Sequence, residues 1–351
     1  RMKGNIKNIE ITGIQAAVPC NEVDNMQYIS QLSNHRIKKQ IELTGIKKRR
    51  VTLEKQKASD LATEAAKKLM KTLKWKETEV EVLIFVTQSP DLQRPSTAFL
   101  IQNRLGLSSK CMVYDINFGC NGTIVGLITL GSILQTTKGK GLLLLGESNA
   151  LEDGTSINQN SLLRGDAAAA IALQYTEKET EINFEQFSDG SRANLLYKTF
   201  ENPGFMDGNG VFIFGISDVV KSVKMFMERE KITMEQVDYF VFHQAQKMIV
   251  EGISQEIGIP QEKVLHSCEN FGNTSSASIP LTMCSELGER DQTGKIKVLL
   301  CGYGIGLSWG IIYTTIEKES IYPLMETDYI YDDRKKFYEA NARRTSVHYY
   351  T

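Results

Sequence analysis

The strongest constraint on this chain is an internal echo. Thr87 and His243 each close an apolar run of strand length, 156 positions apart, and Gly146 and Gly302 repeat that spacing. The tripeptide Asn-Phe-Gly occurs at 117–119 and again at 270–272. One such match carries nothing, but a spacing held near 155 predicts duplication of one structural unit.

Each half alternates strand and helix. In the first, Ile6–Val18 reads as a strand and Ala58–Leu73 as an amphipathic helix with Ser59 as its N-cap. Val80–Val86 reads as a strand buried on both faces, Ser96–Leu105 as a helix, and Met112–Ile116 as a strand running into the turn Asn117–Cys120. Thr123–Gln135 reads as a helix and Gly141–Leu145 as a strand, and Arg164-Gly165-Asp166 leads into a buried element over Ala167–Leu173. The second half predicts a helix over Val219–Glu230, a strand over Val237–Phe242, helices over Lys247–Ile257 and Ser278–Leu287, and strands over Lys297–Cys301 and Trp309–Ile316. Units in this order predict mostly parallel sheets covered by helices, with ligands gathering beyond the carboxyl ends of strands. The expected division is 1–175, 176–316 and a tyrosine-rich tail, 317–351, to which the sequence assigns no role.

Composition narrows the function. A formal net charge of −1 gives no electrostatic footprint for a polyanion, so no nucleic-acid partner is expected. Mean hydropathy is −0.25. The longest apolar stretch, Ile124–Leu134, is interrupted by Gly126, Thr129 and Gly131 and falls short of the roughly 20 residues that span a bilayer, so no membrane role is expected. The six cysteines, at 20, 111, 120, 268, 284 and 301, form no Cys-x-x-Cys pair, and there are four histidines, so no metal site is expected. Scattered cysteines, and an N-terminus without a charged-then-apolar signal, lead to the expectation of a reducing, cytoplasmic location.

The residues with chemical potential fall at strand ends. Cys120 lies between a strand and a helix start, where free N–H groups favour a thiolate and its own N–H offers an oxyanion donor. His243 follows an apolar strand, where an imidazole donates to a carbonyl or pairs with a thiolate. Asn273 offers an amide donor, and the three glycines that directly follow the strand ending at Cys301, Gly302, Gly304 and Gly306, allow close approach of backbone to a thioester carbonyl. Each of these, taken alone, also fits a packed cysteine, a capped core histidine, a turn asparagine or a tight turn. Ser275, Ser276 and Ser278 read as small residues that let a helix pack closely.

Taken together, "DINFGCNG", "VFHQAQ", "ENFGNTSSASIP" and "GYGIGLSWG", in that order, resemble the β-ketoacyl-acyl-carrier-protein synthase III family, and "LTGIKKRR" and "RPSTAFLIQNRLGL" extend the match over Ile6–Ile316. The resemblance implies a thiolase fold, two duplicated βαβαβαββ halves in a five-layered α-β-α-β-α core, assembled as a homodimer. It implies that Cys120 takes an acyl group from coenzyme A or acyl carrier protein, and that a malonyl thioester then condenses with loss of carbon dioxide. His243 and Asn273 match the family's histidine and asparagine over the enolate, and the N–H groups of Cys120 and Ile305 match its oxyanion hole. Asn209, Gln246, Gly304, Gly306 and Arg94 match substrate-binding positions. No cofactor is implied beyond the thioester substrates. A carboxylate at 273 would repel the enolate, so Asn273 favours the decarboxylating branch over the one that makes hydroxymethylglutaryl thioesters.

The chain departs from the family pattern at several points. Ile37–Leu43 has no aromatic residue for the adenine end of coenzyme A, Ile213 stands where some members have a basic carrier contact, and Gln246 replaces an asparagine. Asn121 stands where a small residue is usual. Arg94 replaces an aromatic of the acyl pocket and reads either as accepting a polar or short acyl group or as a surface or dimer contact. Lys47, Lys48, Arg49 and Arg50 read as a docking patch for an acidic carrier or as a solvated face. The alternatives are an acyltransferase of the same fold that passes the group to an amine or alcohol without decarboxylation, a papain-like hydrolase with the same Cys, His, Asn order, and a catalytically silent partner subunit.

Overall fold

A computed structural model of the chain describes residues 2–27, 35–150, 162–199, 204–291 and 293–337. Its strands are Met2–Lys7 (β1), Ile9–Pro19 (β2), Glu22–Asp24 (β3), Lys48–Arg50 (β4), Val80–Val86 (β5), Met112–Ile116 (β6), Lys140–Glu147 (β7) and Ala167–Tyr175 (β8). They continue with Glu181–Ser188 (β9), Leu196–Tyr197 (β10), Phe205–Met206 (β11), Tyr239–Phe242 (β12), Lys295–Gly304 (β13), Ser308–Glu317 (β14) and Met325–Thr327 (β15). The helices are His35–Thr44 (α1), Ala58–Leu73 (α2), Thr97–Leu105 (α3), Gly122–Thr137 (α4), Gly208–Phe214 (α5), Val220–Glu230 (α6), Lys247–Ile257 (α7), Cys268–Phe271 (α8) and Ser278–Leu287 (α9).

Two sheets, ordered β15-β2-β8-β7-β5-β6 and β1-β9-β14-β13-β12, lie between three helical layers. Helices α2 and α3 cover the outer face of the first sheet. Helices α4 and α9 fill the space between the sheets, where α4 touches β5, β7 and β8 on one side and β1, β13 and β14 on the other. Helices α6 and α7 cover the outer face of the second sheet, through Val223, Phe226, Ile249 and Ile253 against Phe240, Leu299 and Ile311. The sequences of the helices follow from these positions. An outer helix needs one apolar stripe, and α2 buries Leu61, Ala62, Ala65, Ala66 and Leu69 while Lys67, Lys68 and Lys71 face solvent. The central helix meets a sheet on two sides and is apolar nearly all round. Each large apolar side chain buried this way contributes about 1.5–3 kcal/mol.

The duplication is visible in the strands. β5 and β7 pair in parallel, as do β12 and β13, and each of β7 and β13 has an antiparallel neighbour, β8 and β14. Gly122 and Ser278, 156 positions apart, open α4 and α9.

Several expectations need correction. The sheets are mixed: in the second, only β12 and β13 run parallel. The run Ile6–Val18 is not one strand, because Asn8 takes a left-handed φ of 61° that asparagine tolerates. This turns β1 away to pair with β9 in the second sheet, while β2 enters the first. Ser59 does not cap α2; Lys57 is the N-cap, its N–H donating to Asp60 Oδ2 at 2.9 Å. The helix expected over Val219–Glu230 begins earlier, at Gly208, where the Asp207 carboxylate accepts the Gly210 N–H at 3.0 Å, and it runs through a wider turn at Gly215–Val219.

The tail is part of the frame. β15 pairs with β2, and the Arg334 guanidinium lies buried against Asp60 and Asp91 at 2.7 and 2.8 Å. Arg104 of α3 binds Asp333 at 2.8 Å. Among the described residues, no helix is long and apolar enough to cross a membrane, and no group of three His, Cys, Asp or Glu side chains is placed to hold a metal ion.

Candidate active site

Cys120 follows the turn that links β6 to α4 and faces a cavity of about 450 Å³. The approach to it is tight. A Cβ at Gly304 would fall 2.6 Å from Cys120 Cβ and 2.8 Å from its sulfur, so only glycine fits beneath the nucleophile's side chain. The sulfur meets the N–H groups of Ile305 and of Cys120 itself, the Ser275 hydroxyl and the field of Arg164. All four favour the thiolate, but burial outweighs them and raises the thiol pKa above its ordinary value. Burial thus works against the activation expected from the helix start.

Asn273 lines the same cavity. Its backbone is pinned to the segment before β8: its N–H donates to Leu163 O at 2.8 Å and its carbonyl accepts the Gly165 N–H at 3.1 Å. Gly165 has no room for a side chain, since a Cβ there would lie 1.9 Å from Phe271 O. The side-chain oxygen of Asn273 accepts the Ser275 N–H at 2.9 Å, which assigns the amide and leaves its NH₂ group to face elsewhere.

His243 is completely buried and does not line the cavity. Ser275 connects the two, its hydroxyl beside the Cys120 sulfur and its backbone beside the imidazole. Nδ1 lies 2.7 Å from Ser278 Oγ, the Tyr303 ring packs edge-on at 5.5 Å, and Tyr303 Oη donates to the His243 carbonyl at 3.0 Å. Nε2 is buried without a hydrogen-bond partner among the described residues. Burial lowers the imidazole pKa to about 3, so the ring is neutral at physiological pH.

Of the expected binding positions, Ile305 lines the cavity, Gly304 sits against Cys120, and Gly306 is exposed one residue beyond Ile305. Asn209 and Arg94 are exposed and Gln246 begins α7; none of the three is in the cavity wall. The basic cluster is spent within the chain. Lys47 pairs with Glu269 and Lys48 with Glu22, Arg49 is buried against Asn25, and Arg50 reaches Glu326. The Lys47 and Lys48 side chains stay exposed to solvent in these pairs. The sequence reading missed Ser275 and Ser278, and it missed Glu147, Gln88 and Arg164, all three in the cavity wall. Glu147 ends β7 at the carboxyl edge of the sheet, the one signal that marks its position.

Family models agree with this geometry. Residues 114–190 match the 3-oxoacyl-[acyl-carrier-protein] synthase III model, and residues 227–316 match its C-terminal counterpart. The chain is similar to a β-ketoacyl-[acyl-carrier-protein] synthase III of Neisseria gonorrhoeae, 31% identical over 319 residues that cover 86% of this chain and 98% of the relative. It is similar to one of Clostridium perfringens, 32% identical over 327 residues that cover 87% and 98%. A crystal structure of a 3-oxoacyl-(acyl-carrier protein) synthase from Burkholderia xenovorans superimposes with a TM-score of 0.89 at 28% identity, covering 93% of this chain and 99% of that one. This chain, with its thiolase fold, belongs to the 3-oxoacyl-[acyl-carrier-protein] synthase III family.

Proposed function

We propose that the chain joins acyl thioesters by way of an acyl group carried on Cys120. The observation that carries this reading is the setting of the sulfur, which meets the N–H groups of Ile305 and Cys120 on the cavity that Asn273 also lines. The thiol attacks the carbonyl of an acyl thioester of coenzyme A or acyl carrier protein; the donor's C–S bond breaks and its thiol leaves with the proton. The two N–H groups hold the oxyanion between these events. A malonyl thioester then enters and its carboxylate leaves as carbon dioxide, the electron pair of the broken C–C bond passing into an enolate. Neutral Asn273 donates a hydrogen bond to the enolate oxygen from the cavity wall, and neutral His243, buried behind Ser275 and outside that wall, matches the family's second donor to it. The enolate carbon attacks the acyl carbonyl, the Cys120 sulfur leaves and regains a proton from solvent water, and a 3-oxoacyl thioester is released. Electrons and atoms balance without an external oxidant or reductant.

His243 is suited to this role because a ring held neutral donates without repelling a second charge. Its unpartnered Nε2 is the kind of buried polar atom that a substrate oxygen satisfies. The chain acts in the cytoplasm as a homodimer in this reading. Exposed Phe99 and Met112, the latter on the free edge strand β6, support a partner subunit there.

Intact-mass spectrometry after mixing with acyl thioesters tests the reading. An adduct on the native protein that is absent from Cys120→Ala is expected, together with carbon dioxide release from malonyl thioester that His243→Ala and Asn273→Ala both lose. An adduct without any release of carbon dioxide would instead favour transfer to an amine or alcohol. No adduct from any thioester ends the proposal.

A further inference from the structure

The cavity that reaches Cys120 is not the apolar sleeve that a plain alkyl chain requires. Glu147 lies in its wall although only 2% of the residue is exposed, close enough for its charge to bear on the thiol. Three donors hold the carboxyl in place. The Gln88 N–H donates to Oε1 at 2.9 Å, and Ser89 Oγ and Asn149 Nδ2 donate to Oε2 at 2.9 and 3.2 Å. A carboxylate has about four acceptor positions. Among the described residues these contacts fill three and leave one, on Oε1. A carboxyl buried in a wall that received only methylene groups would cost stability without return.

The same wall carries Arg164, whose charge also reaches the Cys120 sulfur. A cationic substituent on the acyl group would meet Arg164 as a like charge, and an anionic one would meet the ionised form of Glu147. A neutral hydroxyl suits both walls, donating to the carboxyl and accepting from the amides and guanidinium beside it. Burial raises the Glu147 pKa to about 8, so near neutrality the protonated form predominates; its proton takes the open Oε1 position and hydrogen-bonds to a substrate oxygen, whereas the carboxylate accepts a hydrogen bond from one.

We propose that the acyl group carried on Cys120 bears a hydroxyl within its first few carbons, and that Glu147 selects it through a hydrogen bond at the open position of its carboxyl. This rests on the reading that Cys120 carries the acyl group. Position 94, outside this cavity wall, plays no part in it.

The test is the rate of adduct formation on the native protein with butyryl-, 3-hydroxybutyryl- and 4-hydroxybutyryl-coenzyme A, followed by intact-mass spectrometry. One hydroxyacyl donor is expected to react about tenfold or more faster than butyryl, as for a site built to pair a substrate hydroxyl. Glu147→Leu and Glu147→Gln are expected to reduce that preference or invert it. The readout is a ratio between donors within one preparation, so partial misfolding of a variant does not move it. Should Glu147→Leu fail to fold, Glu147→Gln and the native ratio still decide. Equal rates for all three donors on the native protein would overturn the substrate class while leaving the acyl-enzyme intact. A preference that survives both substitutions overturns the role of Glu147. An absence of adduct from every donor, offered on coenzyme A and on acyl carrier protein alike, removes the acyl-enzyme reading itself, and this inference with it.

Discussion

The Ser278 hydroxyl lies 2.7 Å from Nδ1 of His243 and accepts the Gln244 N–H at 3.4 Å. Beside the Gln244 N–H the hydroxyl keeps one proton to give and one lone pair to accept. When it donates to Nδ1, the ring proton sits on Nε2, the buried atom without a partner among the described residues. In that tautomer the donor that the proposed enolate needs is set by a residue 35 positions away in sequence.

Ser278→Ala removes the contact that orients this tautomer. Carbon dioxide release from malonyl thioester is expected to fall about 10- to 100-fold, while acyl-adduct formation on Cys120 stays within a few-fold of native. Parallel measurement of gas release and intact mass separates the two steps. Equal losses in both would mean that Ser278 supports the site only as packing.

Gly304→Ala forces a methyl group to within 2.8 Å of the Cys120 sulfur at a backbone φ of 154°. The side chain must rotate or the strand end must shift. Stability is expected to fall by about 1–3 kcal/mol, a loss that leaves a folded protein, whereas adduct formation should become undetectable on the native time scale. Urea titration and intact mass together check both halves. Retained acylation would show that the strand end is softer than its packing implies.

The frame was legible where each element's environment is written into its own residues. α2 carries the single apolar stripe of an outer helix, and β5 the unbroken apolar run of a strand buried on both faces. Pairing direction was not legible, since β8 and β14 run antiparallel to their neighbours by virtue of connections that no local pattern encodes. The displacement of β1 into the second sheet hinges on one asparagine. In the cavity, Cys120 and Asn273 could be grouped because each lies beyond a strand or in a polar turn of the repeat. Glu147 could not, because "LLLLGESNA" reads equally as a strand end turning outward, and only the positions of Gln88 and Ser89 on a neighbouring segment show that it turns in. Ser278 passed for a packing residue because its partner is remote in sequence.

Glu147 and His243 give the folding stability opposite pH slopes. The Glu147 pKa is raised in the folded chain to about 8 from 4.5, so between those values the native state binds the extra proton and stability declines as pH rises. The His243 pKa is lowered to about 3 from 6.5, so stability is retained above 6.5 and lost as pH falls toward 3. Urea midpoints of Glu147→Gln should be flatter than native between pH 5 and 8, and those of His243→Gln flatter between pH 6.5 and 4, each by an amount on the order of a few kcal/mol at the far end. A native curve that parallels both variants would mean that neither group titrates as its burial requires.

Arg334 supplies the last test, because it joins the tail to the frame. Its guanidinium meets Asp60 Oδ2 at 2.7 Å and Asp91 Oδ2 at 2.8 Å, and both aspartate side chains are fully shielded from solvent. Asp60 also fixes the first turn of α2, and Asp91 lies on the loop that follows β5, three residues after Gln88 of the cavity wall. Arg104 reaches both carboxylates from α3, at 3.4 and 3.5 Å, but one cation cannot balance two buried anions. Arg334→Met leaves an uncompensated buried charge, a change that costs about 3–5 kcal/mol. The double variant Arg334→Met with Asp91→Asn relieves that charge and should recover part of the loss, which thermal unfolding of the single and double variants would reveal. Because Gln88 shares a loop with Asp91, the single variant is also expected to slow acylation of Cys120 at temperatures where it remains folded. Unfolding at the native temperature in Arg334→Met would mean that the tail lies against the frame without stabilising it.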